Sequence, residues 1–170
     1  MAKFNGVRAA MRVATAGLMI GVPSAALAGT AVGSIGVSAT VSSSCSVTGN
    51  AVNFGAVAPL SGSNFDASGS IVVTCTNGTA WTASAAAGNG TGATVAARKM
   101  TATPNVLSYN LYIDSGHATV WGDGTLSTST ISGTGTGTAQ TTTIYGRVPL
   151  GQTSVPAGSY SDSVSVTITY

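Results

Sequence analysis

The chain predicts an all-β fold, a sandwich of two antiparallel sheets, and three observations carry that expectation. Beyond an apolar leader its residues are chiefly Ser, Thr, Gly, Ala and Val, which suit strands and turns, with few of the Glu, Lys, Leu and Gln that fill helices. Apolar and polar residues alternate in several short stretches, the period of two of a strand with one buried face. Clusters of Gly, Pro and Ser separate these stretches at short intervals, as in sandwiches.

The first segment is set apart from the fold. Lys3, Arg8 and Arg12 lead into an apolar run from Val13 to Ala26, and Ala26-Leu27-Ala28 gives a small-x-small cleavage signature before Gly29. The run contains Gly17, Gly21 and Pro23 and falls short of the ~20 apolar residues of a spanning helix. Residues 1–28 therefore read as a signal peptide, with Ala26, Ala28 and Gly29 marking its cleavage. Its removal takes away three of the six Lys and Arg. Arg98, Lys99 and Arg147 then face Asp66, Asp114, Asp123 and Asp162, a net charge of −1. The pI of about 8.7 thus gives no reason to expect a nucleic-acid partner, which would need a basic patch. The remaining length, about 142 residues, suits one domain with a single core.

Residues 29–42 form the first expected strand, with Ala31, Gly33, Ile35, Val37, Ala39 and Val41 on one face. It stands outside the loop that a Cys45–Cys75 bridge would close, and we read it as a strand for a neighbour's sheet. The domain proper, residues 43–170, opens with a strand at Ser44–Thr48. Two cysteines in an exported chain are expected to pair, so Cys45 and Cys75 are assigned a disulfide. Asn53-Phe54-Gly55 reads as a turn with Phe54 as a core plug. The next strand, Ser70–Thr76, turns Ile71, Val73 and Cys75 inward, and Ala80–Ala87 follows around Trp81. Gly88 to Gly92 is a loop, because no helix follows it on which a phosphate could rest.

Leu107–Asp114 is an interior strand with Leu107, Tyr109, Leu111 and Ile113 on one face. Trp121-Gly122-Asp123-Gly124 is a tight turn. The repeat Gly133-Thr134-Gly135-Thr136-Gly137-Thr138 has too little side chain to form a core and stays unplaced. Thr141–Val148 and Tyr160–Tyr170 close the chain as strands, the last with Val164, Val166, Ile168 and Tyr170 inward. It ends with no following hairpin to cover its far edge.

Chemistry is sparse. Asp114, Ser115, His117 and Asp123 include the residue types of a triad or a metal set, but they lie in one short turn region, whereas triad members converge from separate elements. The chain has no Glu and one His. We assign no catalytic residue, no metal site and no cofactor. Arg98-Lys99 and Arg147 read as solvated or paired with Asp. Trp81, Trp121 and the tyrosines read as core, with a sugar-stacking face as the alternative.

Several short motifs in order carry a family resemblance. They are Ser44-Cys45-Ser46-Val47, Asn53-Phe54-Gly55, Ile71-Val72-Val73-Thr74-Cys75 with Thr76-Asn77-Gly78, and Arg98-Lys99-Met100. Leu107-Ser108-Tyr109-Asn110-Leu111-Tyr112, Trp121-Gly122-Asp123-Gly124, Tyr145-Gly146-Arg147-Val148 and the ending from Gly158 to Tyr170 follow. Together they resemble the spore coat protein U domain family, whose members include major subunits of archaic, Csu-type chaperone–usher pili. The resemblance implies an incomplete immunoglobulin-like β-sandwich that lacks its last strand. It implies a periplasmic chaperone, an outer-membrane usher and identical or related subunits as partners, and a path from periplasm to cell-surface pilus. The donor strand would be the odd-numbered face of Ala31–Val41. The acceptor groove would be bordered by Tyr160, Val164, Val166, Ile168 and Tyr170 and by the strand near Cys45, with the Tyr170 carboxylate as a handle for the chaperone. The other reading is a self-contained secreted sandwich that coats a cell or spore surface or binds glycans. A hydrolase using His117 is a third.

Overall fold

The computed structural model describes residues 27–170. Most of the expected signal peptide, including Ala26, lies outside them, while Leu27, Ala28 and Gly29 are exposed. The chain divides into two units, one ending at Ala39 and the other spanning Thr40–Tyr170. Residues 29–42, expected as a strand, carry none, and every side chain from Leu27 to Ser44 is exposed. The physical reason is that a strand exists only where a neighbour takes up its N–H and C=O groups, and the alternation alone supplies no such partner.

The second unit is all β. Its strands are β1 (Cys45–Asn50), β2 (Phe65–Cys75), β3 (Ala80–Ala85), β4 (Arg98–Ala102), β5 (Asn105–Tyr112), β6 (Ile131–Thr134), β7 (Gln140–Val148) and β8 (Val166–Thr169). They form a five-stranded sheet in the order β1-β2-β7-β5-β4 and a three-stranded sheet in the order β6-β3-β8. All named pairings are antiparallel.

The core lies between the inner faces. Ile71, Val73 and Cys75 of β2, Leu107, Tyr109 and Leu111 of β5, and Ile144 and Val148 of β7 meet Trp81, Ala83 and Ala85 of β3. The small β3 residues leave space that Trp121 fills, its indole N–H donating to the Ala83 carbonyl at 3.2 Å. Both tryptophans are therefore core, as expected. Phe54 is half-buried and packs edge-on against Tyr109, with ring centroids 6.1 Å apart.

Strand β4 was not expected from the sequence, and three further elements differ from the expectation. Strand β2 begins at Phe65, five residues before the expected start, because Gly69 gives way to β1: a Cβ there would stand 2.6 Å from the Asn50 carbonyl oxygen. The Gly/Thr repeat is placed. Its first residues finish β6, and Gly135 and Gly137 then lie against the end of β2, where the Gly137 amide donates to the Cys75 carbonyl at 3.0 Å and the Gly135 amide to the Thr79 carbonyl at 2.7 Å. A Cβ on Gly135 would overlap Cys75 and Thr76, so the lack of side chain is what the close approach requires.

The third difference concerns the chain's end. The single strand expected over Tyr160–Tyr170 is two pieces on two sheets. Ser161 forms an isolated bridge with Thr101 on β4, and only Val166–Thr169 pairs with β3. Local alternation continues smoothly through this change of sheet and therefore cannot reveal it.

Candidate functional site

Two strand edges define the site. Among the described residues, strand β1 pairs only with β2 and ends the five-stranded sheet, and β8 pairs only with β3 and ends the three-stranded sheet. The two approach each other on one side of the sandwich. Cys45 and Val47 from β1, and Val164, Val166 and Ile168 from the C-terminal segment, are packed against the core yet only half-buried. Ile71 and Val73 on neighbouring β2 are 2% and 0% exposed. The side chains have the right parity for a core, but among the described residues no strand lies over them. Unpaired main-chain groups beside a half-covered apolar stripe form a template for an added strand.

The β1 side of this opening is firmly held. Cys45 and Cys75 are directly opposite in the β1–β2 register and form the expected disulfide. Just before it, the Thr76 amide donates to the Ser44 carbonyl at 2.9 Å and the Ser44 amide to the Thr76 hydroxyl at 3.1 Å. The β8 side is shorter, and two expected members behave differently. Tyr160 precedes the bridge to β4, and its hydroxyl donates to the Pro156 carbonyl at 2.8 Å, so it does not border the gap beside β8. Tyr170, expected inward, is 58% exposed beyond the last paired residue. The expected donor residues remain outside any ladder, with Ile35, Val37 and Val41 at 91%, 92% and 84% exposure.

The polar candidates fall elsewhere. The Asp114 carboxylate accepts from the Ala118 and Thr119 amides at 3.1 and 2.7 Å, which lowers its pKa and closes its own turn. Asp123 does the same with the hydroxyl and amide of Thr125. His117 turns away from both. Its ring packs edge-on against Tyr112 and Tyr145 and brings Nε2 to 3.7 Å from Asp66. Asp66 in turn accepts two bonds of 2.7 Å from Arg147, whose guanidinium holds the carboxyl below the usual carboxylate range, helped by His117. The four expected polar residues thus do not converge on one point. Among the described residues, no group of three His, Cys, Asp or Glu is arranged to hold a metal.

Sequence reasoning missed Arg98. Expected to be solvated or paired with Asp, it is fully buried, and burial lowers its pKa. Its guanidinium donates to the Ala85 and Ala86 carbonyls and to Asn110 Oδ1 at 3.2, 2.9 and 3.0 Å. A signal was available, since Arg98 shares strand parity with Met100, which packs on the core.

Residues 31–167 match the Spore Coat Protein U domain. The chain belongs to that family. It is similar to "Protein U" of Myxococcus xanthus, 32% identical over 181 residues that cover 98% of this chain and 99% of that protein. Among solved structures it is similar to the chaperone–tip adhesion subunit pre-assembly complex CsuC–CsuE, from the archaic chaperone–usher Csu pili of Acinetobacter baumannii, with a TM-score of 0.57 and 24% identity. That match covers 77% of this chain and 40% of the other, and it supports the sandwich fold. This spore coat protein U family member thus has a sandwich whose described residues leave one side open between β1 and β8.

Proposed function

We propose that this protein is a structural, non-enzymatic subunit of a surface pilus. In this reading the signal peptide exports it to the periplasm, a chaperone and an outer-membrane usher handle it, and donor-strand exchange polymerises it for adhesion and biofilm formation. One observation carries the reading: a half-covered apolar stripe between two free strand edges occurs in a chain whose residues 31–41 alternate like a strand but carry no ladder. Family membership and the fold likeness to a chaperone-bound pilus subunit support it.

Strand direction sharpens the proposal. The short turn Thr76–Thr79 sends β3 back against β2, so β1 and β8 run opposite ways. A strand laid between them is antiparallel to one and parallel to the other, and the antiparallel ladder is the more stable per residue. To run antiparallel to β8, the same chain's segment would have to return along β1 through Ser42–Ser44. That link reaches at most about 14 Å, against about 17 to 20 Å for the strand. A segment from another molecule has no such limit, and one donated head to tail builds a fibre. Burying Ile35, Val37 and Val41 would contribute about 1.5 to 3 kcal/mol each, offset in part by ordering the segment.

The test is electrophoresis of purified assemblies in detergent. Unboiled polymer should run as a ladder and collapse to monomer on boiling, and a chain lacking 29–42 should accumulate only as chaperone-bound monomer. Free, stable monomer from the deletion would refute donor exchange. The spore-coat name of the family favours a second reading, a self-contained surface-coat protein. A monomer by sedimentation at micromolar concentration would support that one.

A further inference from the structure

The C-terminal alternation contains an ambiguity. Ser163-Val164-Ser165-Val166-Thr167-Ile168-Thr169-Tyr170 repeats with a period of two, so sliding it by two residues along β3 again puts apolar residues inward. A slip of one residue would turn the apolar face outward and is excluded by burial, but a slip of two is not. Such a slip would move the free edge by about 6.8 Å. With only four residues in its ladder, β8 has little else of its own to fix its place.

The chain entering β8 is held at three successive points. Ser161 and Thr101 on β4 exchange both amide bonds, at 2.9 and 3.3 Å. The Asp162 carboxylate accepts from the Tyr109 hydroxyl and the Asn89 and Ser163 amides, each at 2.7 Å. The Ala86 amide donates to the Ser165 carbonyl at 2.9 Å. Ala86 and Ala85 are themselves fixed through their carbonyls by the buried Arg98, which lies directly opposite Tyr109 in the β4–β5 register. A side chain on Gly88 would overlap the Asp162 carboxylate, so the loop after β3 is shaped to receive it. Asp162 and Tyr109 have no counterpart two residues away. A shifted Asp162 would lose its bonds to Tyr109 and Asn89, while the bond to the adjacent Ser163 amide moves with it.

We propose that Arg98, Tyr109 and Asp162 form a positioning clamp that sets the register of β8, and with it the edge offered to an incoming strand. The role of that edge as an acceptor rests on the function proposed above, whereas the register itself does not.

Cysteine pairs on the full chain test it, with Cys45–Cys75 intact. Ser84 is opposite Thr167, so the pair S84C/T167C should oxidise, while S84C with S165C or T169C should not. Adding Asp162→Ala should raise one of the shifted pairs relative to the native pair by about tenfold, the change expected for losing a bond to a charged group. Asp162→Asn, which keeps an acceptor oxygen, should restore most of the native pairing. If Asp162→Ala does not accumulate, Tyr109→Phe provides the same readout with the carboxylate in place and should give a smaller shift. Unchanged native pairing in both backgrounds, or equal loss of every pair, would overturn the clamp. A parallel arm adds a labelled peptide of residues 29–42: failure of the unmutated protein to take it up counts against the acceptor reading alone, since the cysteine pairing needs no donor.

Discussion

At the scale of single residues, parity is the main determinant of effect. Val37 and Ser38 are both exposed and adjacent, yet they belong to opposite faces of the expected donor strand. Val37→Asp should abolish the detergent-resistant ladder while leaving chaperone binding intact, because it would bury a charge without a partner. Ser38→Asp should reduce the ladder only slightly. Tyr109 gives a different test. Burial, with its bond to Asp162, pushes its pKa up, so the neutral phenol is favoured in the fold. Its stabilising effect is therefore complete below the unfolded value of about 10 and is lost as pH rises through the higher folded value. Urea unfolding of the unmutated protein should show stability falling above pH ~10. Tyr109→Phe should flatten much of that slope and lower stability at pH 7 by about 1.5 to 3 kcal/mol. Tyr112, also shifted upward by burial, accounts for the slope that remains.

At the scale of elements, the two borders of the opening are stabilised by different means. Strand β1 has a covalent tie at its first residue, while β8 depends on hydrogen bonds made before it begins. Replacing Cys45 and Cys75 by Ala should lower stability by about 3 to 4 kcal/mol in the chain-entropy account of a loop with a sequence separation of 30. Denaturant titration with and without reductant checks this, and reductant should affect only the unmutated protein. The pairing was legible because Cys75 shares a face with Ile71 and Val73, and because export favours disulfides. The extent of β2 was not legible, since Gly69 weakens the strand pattern locally and its use appears only where Asn50 passes against it. The Gly/Thr repeat was equally mute, as its function is to let backbone approach backbone.

For the whole molecule, the fold leaves one side of the sandwich open between strands from its two ends. A small domain gains stability by covering its apolar surface, and here Val47, Val164, Val166 and Ile168 stay half-covered. Adding a peptide of residues 29–42 to the chaperone-bound protein lacking that segment should therefore displace the chaperone, with the Val37→Asp peptide displacing none at equal concentration. Size-exclusion chromatography measures the displacement, and equal displacement by both peptides would argue against an apolar-face insertion.

The sequence by itself determined the all-β class, the inward faces of β2, β5 and β8, the disulfide and the alternation of residues 31–41. Each of these is set locally, by periodicity or by the chemistry of a residue type. Only the tertiary structure decided that Arg98 is buried, that Tyr160 sits beside β4, and that the last apolar repeat changes sheets before it becomes β8. The physical reason is that a period of two states which face a residue occupies and leaves open which strand lies beside it. At the C-terminus the repeat is consistent with more than one register, so partners distant in sequence, Tyr109, Asn89 and Ala86, hold the one observed.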